Sequence, residues 1–210
     1  MRSEEMSPEN AARYDATFQT MSPENRERYD ACFELMERAH DGQKRKYSGE
    51  DYSAHPFEVA MDLEFFLYEF TDRYSEDERI DLICAAFLHD VAEDCPHITE
   101  AEIEEAGGPN VLRLVKELTN PSKGSTLPRA ERKRLDREHL KTVSREAKII
   151  KLIDRACNLC DMGRPDCPKD FRKKYVAESR LLLEVIGDAD EKLAADLLYE
   201  IEELEKASGS

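Results

Sequence analysis

Ionisable side chains close an apolar run in an unexpected way: the stretch LICAAFLHDVAED, Leu82 to Asp94, ends in His89, Asp90, Glu93 and Asp94. On a helix, residues four apart lie one turn above each other, which stacks His89 under Glu93 and Asp90 under Asp94. An imidazole and three carboxylates on one face at the end of a core segment repel one another unless they protonate or find a cation. A divalent metal answers this, and mixed nitrogen and hard oxygen donors suit Mn, Fe, Zn or Mg better than thiolate-seeking metals. Carboxylates beyond the first ligands could orient a water. Acidic residues are also ordinary where a helix emerges into solvent. The HD dipeptide occurs twice, at His40-Asp41 and at His89-Asp90, so only the surroundings separate the two.

Other positions carry side chains of the same kind. His55 precedes Pro56 where the polar connection from His40 gives way to FEVAMDLEFFLYEF, a helix start from which it can point into a site or merely cap and pack. Asp154 lies among apolar residues in AKIIKLIDRACNL; a carboxylate there needs a partner, which Lys151, Arg155 or a metal could be, and Asn158 follows one turn later. Basic residues bunch in Lys44-Arg45-Lys46 and again through 129 to 151. Such runs are commonly solvated faces, yet they can grip phosphate, because nearby charges rather than net charge set the field in a cleft. Cys157-x-x-Cys160 with Cys167 could hold a metal by thiolates but lacks a clear fourth ligand, and free cysteine often serves as a small apolar residue.

Helices must position all of these. Ser75-x-x-Glu78 is a capping box, and the sequence predicts a helix from Glu76 to about Glu93, apolar on nearly every face and hence surrounded by others. Thr99-x-x-Glu102 opens a short helix ended by Gly107-Gly108; NVLRLVKELT is amphipathic, and NPSKGSTLP reads as a loop. Ser144 caps REAKIIKLIDRACNLCDM. After MGRPDCPKD come FRKKYVAESRLLLEVIG and, behind Asp188, ADEKLAADLLYEIEELEKA. Near the start, MSPENAARYDATFQ (Met6 to Gln19) recurs as MSPENRERYDACFE (Met21 to Glu34), each copy opening with the Ser-Pro-Glu signature of a helix start. The second copy reads as the first helix of the domain, the first as a separate short helix for packing or dimer contact.

No stretch alternates with period two, and neither GxxxxGK[ST] nor a GxGxxG behind a strand occurs. The expectation is an all-α bundle forming a single domain over residues 21–206, with residues 1–20 as an extension and 207–210 as a disordered tail. A chain of 210 residues, 40% hydrophobic with 8 Gly and 9 Pro, fits one helical domain with its own core. The net charge of −16 argues against DNA or RNA as partners but leaves room for a small anionic ligand in a local basic pocket. No segment reaches the roughly 20 apolar residues that span a bilayer, and MRSEEMSPEN has no signal-peptide core. Scattered cysteines suit reduced thiols. These features predict a soluble cytoplasmic protein, with the N-terminal helices as the surface for any homo-oligomer.

Taken together, the His before Pro at a helix start, the HD pair followed by ED, and the Asp inside KLIDRACNL resemble the HD-domain metal-dependent phosphohydrolases. Among them the likeness is to the hydrolase domain of RelA/SpoT-type proteins and to small stand-alone alarmone hydrolases of the metazoan SpoT-homologue type. It covers roughly residues 31 to 186, as HDGQKRK…YSAHP, AAFLHDVAED, LPRAERKRLDREHL and AKIIKLIDRACNL in that order. The resemblance implies an HD-domain helical bundle with His55, His89, Asp90 and Asp154 as ligands of one divalent metal, usually Mn²⁺. It implies that Glu93 and Asp94 orient and deprotonate the attacking water. Arg45 and Lys46 resemble residues that hold nucleotide phosphate or base, Arg129 a phosphate contact, Asn158 a residue lining the nucleotide site, and Tyr175 a pocket tyrosine. His40-Asp41 falls in the loop segment, so its match to the metal motif is accidental.

The reaction so implied is hydrolysis of the 3′-diphosphate of (p)ppGpp to GDP or GTP and pyrophosphate. With no synthetase segment following, hydrolysis would be the only activity. Asp51 stands where the family usually has Pro before Tyr, and the residues around Cys157 and after Asn158 depart from the pattern. These departures touch the pocket wall, so the alternatives are another phosphorylated nucleotide, such as (p)ppApp or the 2′-phosphate of NADPH, or a catalytically silent nucleotide-binding regulator.

Overall fold

A computed structural model describes residues 21–69 and 73–209. The first repeat copy, the expected extension 1–20, and Ser210 lie outside the described residues. The helices are α1 (Pro23–Ala39), α2 (Ala54–Glu69), α3 (Glu76–Leu88), α4 (Val91–Asp94), α5 (Glu100–Gly107), α6 (Pro109–Leu118), α7 (Arg129–Leu140), α8 (Arg145–Met162), α9 (Lys169–Ile186) and α10 (Glu191–Gly209). Among the described residues there is no named strand, only one antiparallel bridge between Lys44 and Asp51. The all-α expectation holds.

Caps read from the sequence form as expected. Ser22 and Ser144 accept the N–H of the third residue on, Asn25 and Ala147, while Ser75 with Glu78 and Thr99 with Glu102 close reciprocal capping boxes. The last helix differs. It is capped by Asp190, which accepts from Lys192 and Leu193, and it continues through Gly209, into the stretch expected to be disordered. Asp188 instead pairs with Lys148 at 3.0 Å.

The helix α3 is buried on every side, with Ile80, Leu82, Ile83, Cys84, Ala85, Ala86, Phe87 and Leu88 all in the core. It packs against α1, α2 and α6, while α8 packs against α2, α6, α9 and α10. The second repeat copy seats α1 on α3. Asn25 donates to Glu76 and Asp77 at 2.9 and 2.7 Å, Arg28 pairs with Asp81 and donates to the Gly107 carbonyl, and Tyr29 and Phe33 meet Phe87 edge-on at 5.1 and 5.7 Å. These contacts face inward.

The sequence reading of one helix from Glu76 to Glu93 needs correction. The helix α3 stops at Leu88, and α4 is a separate turn that starts with the Glu93 and Asp94 N–H groups on the Asp90 carbonyl. At the break, His89 Nδ1 lies 2.7 Å from the Ala86 carbonyl, the acceptor a continuing helix would offer to the Asp90 N–H. The imidazole has taken the place of the backbone donor. The acidic residues at the break turn to different neighbours: Asp90 to Tyr52, Glu93 to the Asn120 N–H and Asp94 to Lys123.

Candidate metal centre and substrate site

Two helices and the break after α3 bring the cluster together. The first turn of α2 supplies His55, the break supplies His89 and Asp90, and the middle of α8 supplies Asp154. The donor atoms of His55, His89 and Asp154 all lie within 4.8 Å of one another, and all three residues are buried. His55 Nε2 is 3.1 Å from Asp154 Oδ1 and 3.8 Å from Asp90 Oδ2. His89 Nε2 is 3.1 Å from Asp90 Oδ2 and 3.7 Å from Asp154 Oδ1.

Electrostatics and donor chemistry fit a divalent cation. With Nδ1 on the Ala86 carbonyl, His89 turns Nε2 inward, where it is buried and makes no hydrogen bond. Burial opposes the charged imidazolium, but the Asp90 and Asp154 carboxylates outweigh it and push His89 up to about 10. Asp154 is held well below the carboxylate range despite its burial, first by Lys151 and then by the two histidines. A proton on the imidazole thus stands where a metal would supply the charge. Lys151 is the partner the sequence named as one option for Asp154: its Nζ sits 2.7 Å from Oδ2, leaving Oδ1 for the cluster. Arg155, the other option, faces Ser179 and Tyr175 instead.

Around these groups lies a second layer. Tyr52 Oη donates to Asp90 Oδ2 at 2.7 Å, and Asn158 Nδ2 donates to Asp154 Oδ1 at 2.6 Å. Asn158 thus lies against the cluster itself. His40, the first half of the other HD pair, is buried behind Tyr52 with ring centroids 4.8 Å apart, and Asp41 is exposed, so that pair is outside the cluster. Glu93 Oε1 accepts the Asn120 N–H. Burial lifts the Glu93 carboxyl above its usual range while Lys151 and the Asn120 N–H pull it back. Asp94 is paired with Lys123.

The expected substrate residues divide. Lys46, Arg129 and Tyr175 gather around Phe171: the Lys46 ammonium and the Arg129 guanidinium each lie 5.3 Å from its ring centroid, and the Tyr175 ring 6.0 Å. Tyr47 joins them at 6.1 Å. Arg129 is also gripped by both carboxylate oxygens of Glu178, at 2.8 and 2.7 Å. Arg45 turns away from this group and is buried against Asp161, with Nη2 at 2.8 Å.

Sequence reasoning passed over Tyr52, Lys123, the Asn120 N–H, Tyr47 and Phe171. Tyr52 precedes His55 by three residues, and Lys123 sits in a loop that must lie somewhere; neither spacing says which carboxylate is reached. The thiolate alternative does not assemble. Cys157 donates to Asp62 and Cys160 to Glu200, each at 3.5 Å, while Cys167 packs on Met162 at 3.6 Å. Burial and carboxylate neighbours push Cys160 up to about 12, and such a thiol stays protonated.

An all-helical bundle that brings two imidazoles and one carboxylate to a buried point, with a second carboxylate against it, offers a donor set that suits a divalent metal. The profile of the HD domain matches residues 32–181, and the chain belongs to that family. The guanosine-3′,5′-bis(diphosphate) 3′-pyrophosphohydrolase MESH1 of Danio rerio is 37% identical over 126 residues, 60% of this chain and 63% of that protein. The Homo sapiens protein of the same name is 40% identical over 130 residues, 60% of this chain and 65% of its own length. The chain thus spans less than two thirds of the length of these curated relatives. A solved structure described as a metazoan ortholog of SpoT that hydrolyzes ppGpp superposes with a TM-score of 0.69 at 25% identity, covering 84% of this chain and 94% of that one. Among the described residues no helix is long and apolar enough to cross a membrane.

Proposed function

We propose that the chain is a Mn²⁺-dependent phosphohydrolase that removes the 3′-diphosphate of (p)ppGpp, releasing GDP or GTP and pyrophosphate. The carrying observation is the buried cluster of His55, His89 and Asp154, with Asp90 against it, lying beside Glu93, a carboxylate that burial lifts above its usual range and that can act as a proton acceptor. The names of the relatives point to the same substrate. Bound to His55, His89, Asp90 and Asp154, a divalent cation would supply Lewis acidity toward water and a phosphoryl oxygen.

The remaining work falls to side chains. Glu93 takes a proton from the attacking water as its oxygen bonds to phosphorus and the bond from phosphorus to the ribose 3′-oxygen breaks; returned directly or through solvent, that proton restores the 3′-hydroxyl. Asp94, held by Lys123, orients the water. Lys46 and Arg129 neutralise polyphosphate, while Phe171 and Tyr175 offer faces for the base. Asn158 steadies Asp154. Arg45, committed to Asp161, shapes the loop that carries Lys46. The free thiols of all six cysteines suit a reducing, cytoplasmic setting.

Incubating the purified protein with Mn²⁺ and ppGpp, ppApp or NADPH, with products separated by chromatography, tests this reading. Pyrophosphate from ppGpp is expected; orthophosphate as the product of every substrate would refute it. Asp154→Ala should lose metal and turnover together, whereas Glu93→Ala should keep the metal and lose about 10²–10⁴-fold in kcat. A metal-free Glu93 variant would overturn the division of roles.

A further inference from the structure

Like charges gathered in a partly buried pocket need counter-charges, and behind the metal cluster the cations outnumber the carboxylates among the described lining residues. A cavity of about 30 Å³ is lined by Lys133, Arg137, Lys151 and Arg155, with Asp136 and Glu178 as the carboxylates among its lining residues. Both acids are engaged. Glu178 is held by both forks of Arg129. Asp136 accepts the Ser122 N–H at 3.3 Å and lies 3.5 Å from Lys133.

On the cationic side, Lys151 is matched by Asp154, but the others are not fully answered. Arg155 is 7% exposed; it donates to Ser179 at 3.3 Å and stacks 4.5 Å from the Tyr175 ring, and its Nε has no hydrogen-bond partner. Arg137 makes no hydrogen bond or ion pair among the described residues. Lys133 is held below the ordinary lysine value, by burial first and then by Arg155, a sign that cations crowd there. An unpaired buried guanidinium nitrogen beside a second and third cation is costly unless an anion or water satisfies it.

We propose that this cavity binds a small inorganic anion of about the size of chloride, between Lys133, Arg137 and Arg155. The volume admits a water-sized or monatomic guest, and the excess of cations over carboxylates selects a negative one. The site adjoins the aromatic cluster around Phe171 through the stack of Arg155 on Tyr175 and the grip of Glu178 on Arg129, but Lys46 and Phe171 are not among its lining residues. Lys151 is shared with the metal centre, so an anion there lies next to the ammonium that fixes Asp154. The inference does not depend on which nucleotide is hydrolysed.

Thermal unfolding of the full chain in gluconate and in chloride at equal ionic strength provides the test. Binding to the folded state should raise the midpoint in chloride by at least about 2 °C. Lys133→Met and Arg137→Gln should each cut that rise by half or more, while Lys46→Ala, in the aromatic cluster, should leave it intact. Both cavity variants replace side chains that are partly exposed, so folding is expected to survive. Crystals soaked in bromide should show anomalous density bounded by Lys133 and Arg155. An equal response in both salts, a chloride effect lost in Lys46→Ala but kept in Lys133→Met, or bromide absent from the cavity would each overturn the proposal.

Discussion

Tyr52 illustrates how one hydroxyl can tune a metal centre. It donates to the Asp90 oxygen that faces both histidines, and outer partners of this kind orient ligands and set their basicity. Tyr52→Phe keeps the ring against His40 and removes only the hydrogen bond. Metal affinity measured by competition with a chelator should fall about 10–100-fold, with the fold and melting midpoint little changed; unchanged affinity would mean the bond does not position Asp90. At this scale the sequence was legible where chemistry was out of place. Asp154 amid Ile153 and Ala156 demanded a partner, and Lys151 proved to be one. Tyr52 carried no such tension, because a tyrosine in a polar loop has many satisfactory settings, and only the fold says which carboxylate it meets.

Between elements, capping and periodicity located most helices, since these depend on contacts a few residues apart. The break at His89 was hidden because the His89 and Asp90 backbone stays in the right-handed helical region and the interruption comes from a side chain competing for a carbonyl. Gly107 is a clearer constraint. A Cβ there would lie 2.6 to 2.9 Å from the side chain of Val111, in the first turn of the next helix. Gly107→Ala should cost about 1–3 kcal/mol and lower the melting midpoint, and Gly107→Ala with Val111→Ala should recover part of it; strict additivity in this cycle would refute the clash. On α2, Glu64 is buried with Oε2 unpartnered, and burial raises it to about 7. A raised carboxyl favours the folded state below the unfolded value of 4.5, and that advantage is lost as pH climbs to about 7. Glu64→Met should therefore raise the melting midpoint by several degrees at pH 8 and scarcely at pH 4. A gain of equal size at both values would show that ionisation is not the cause.

Across the whole molecule, a net charge of −16 conceals strong segregation. Between α2, α8 and α10 runs a groove of about 310 Å³ with Glu58, Asp62, Asp196 and Glu200 along it, while the cations of α7 and α8 converge on the cavity behind the metal centre. The helix α8 is the wall common to the metal centre, the acidic groove and the basic cavity. The switch to basic residues after Pro128 was plain in the sequence, but which of them would face inward was not. Arg129 and Arg134 are matched by acids, whereas Arg137 is left to the cavity, a sorting that depends on how α7 is rotated against α9, and Arg155 joins it there from α8. The seat of α1 on α3 has a consequence at the level of the gene. The residue types that make it, Ser22, Asn25, Arg28, Tyr29 and Phe33, recur at Ser7, Asn10, Arg13, Tyr14 and Phe18. Recombination that loses one fifteen-residue unit, wherever it crosses within the repeat, returns a reading frame that still encodes every one of these residue types, so this stretch of the coding sequence can contract without erasing the instructions for docking helix α1.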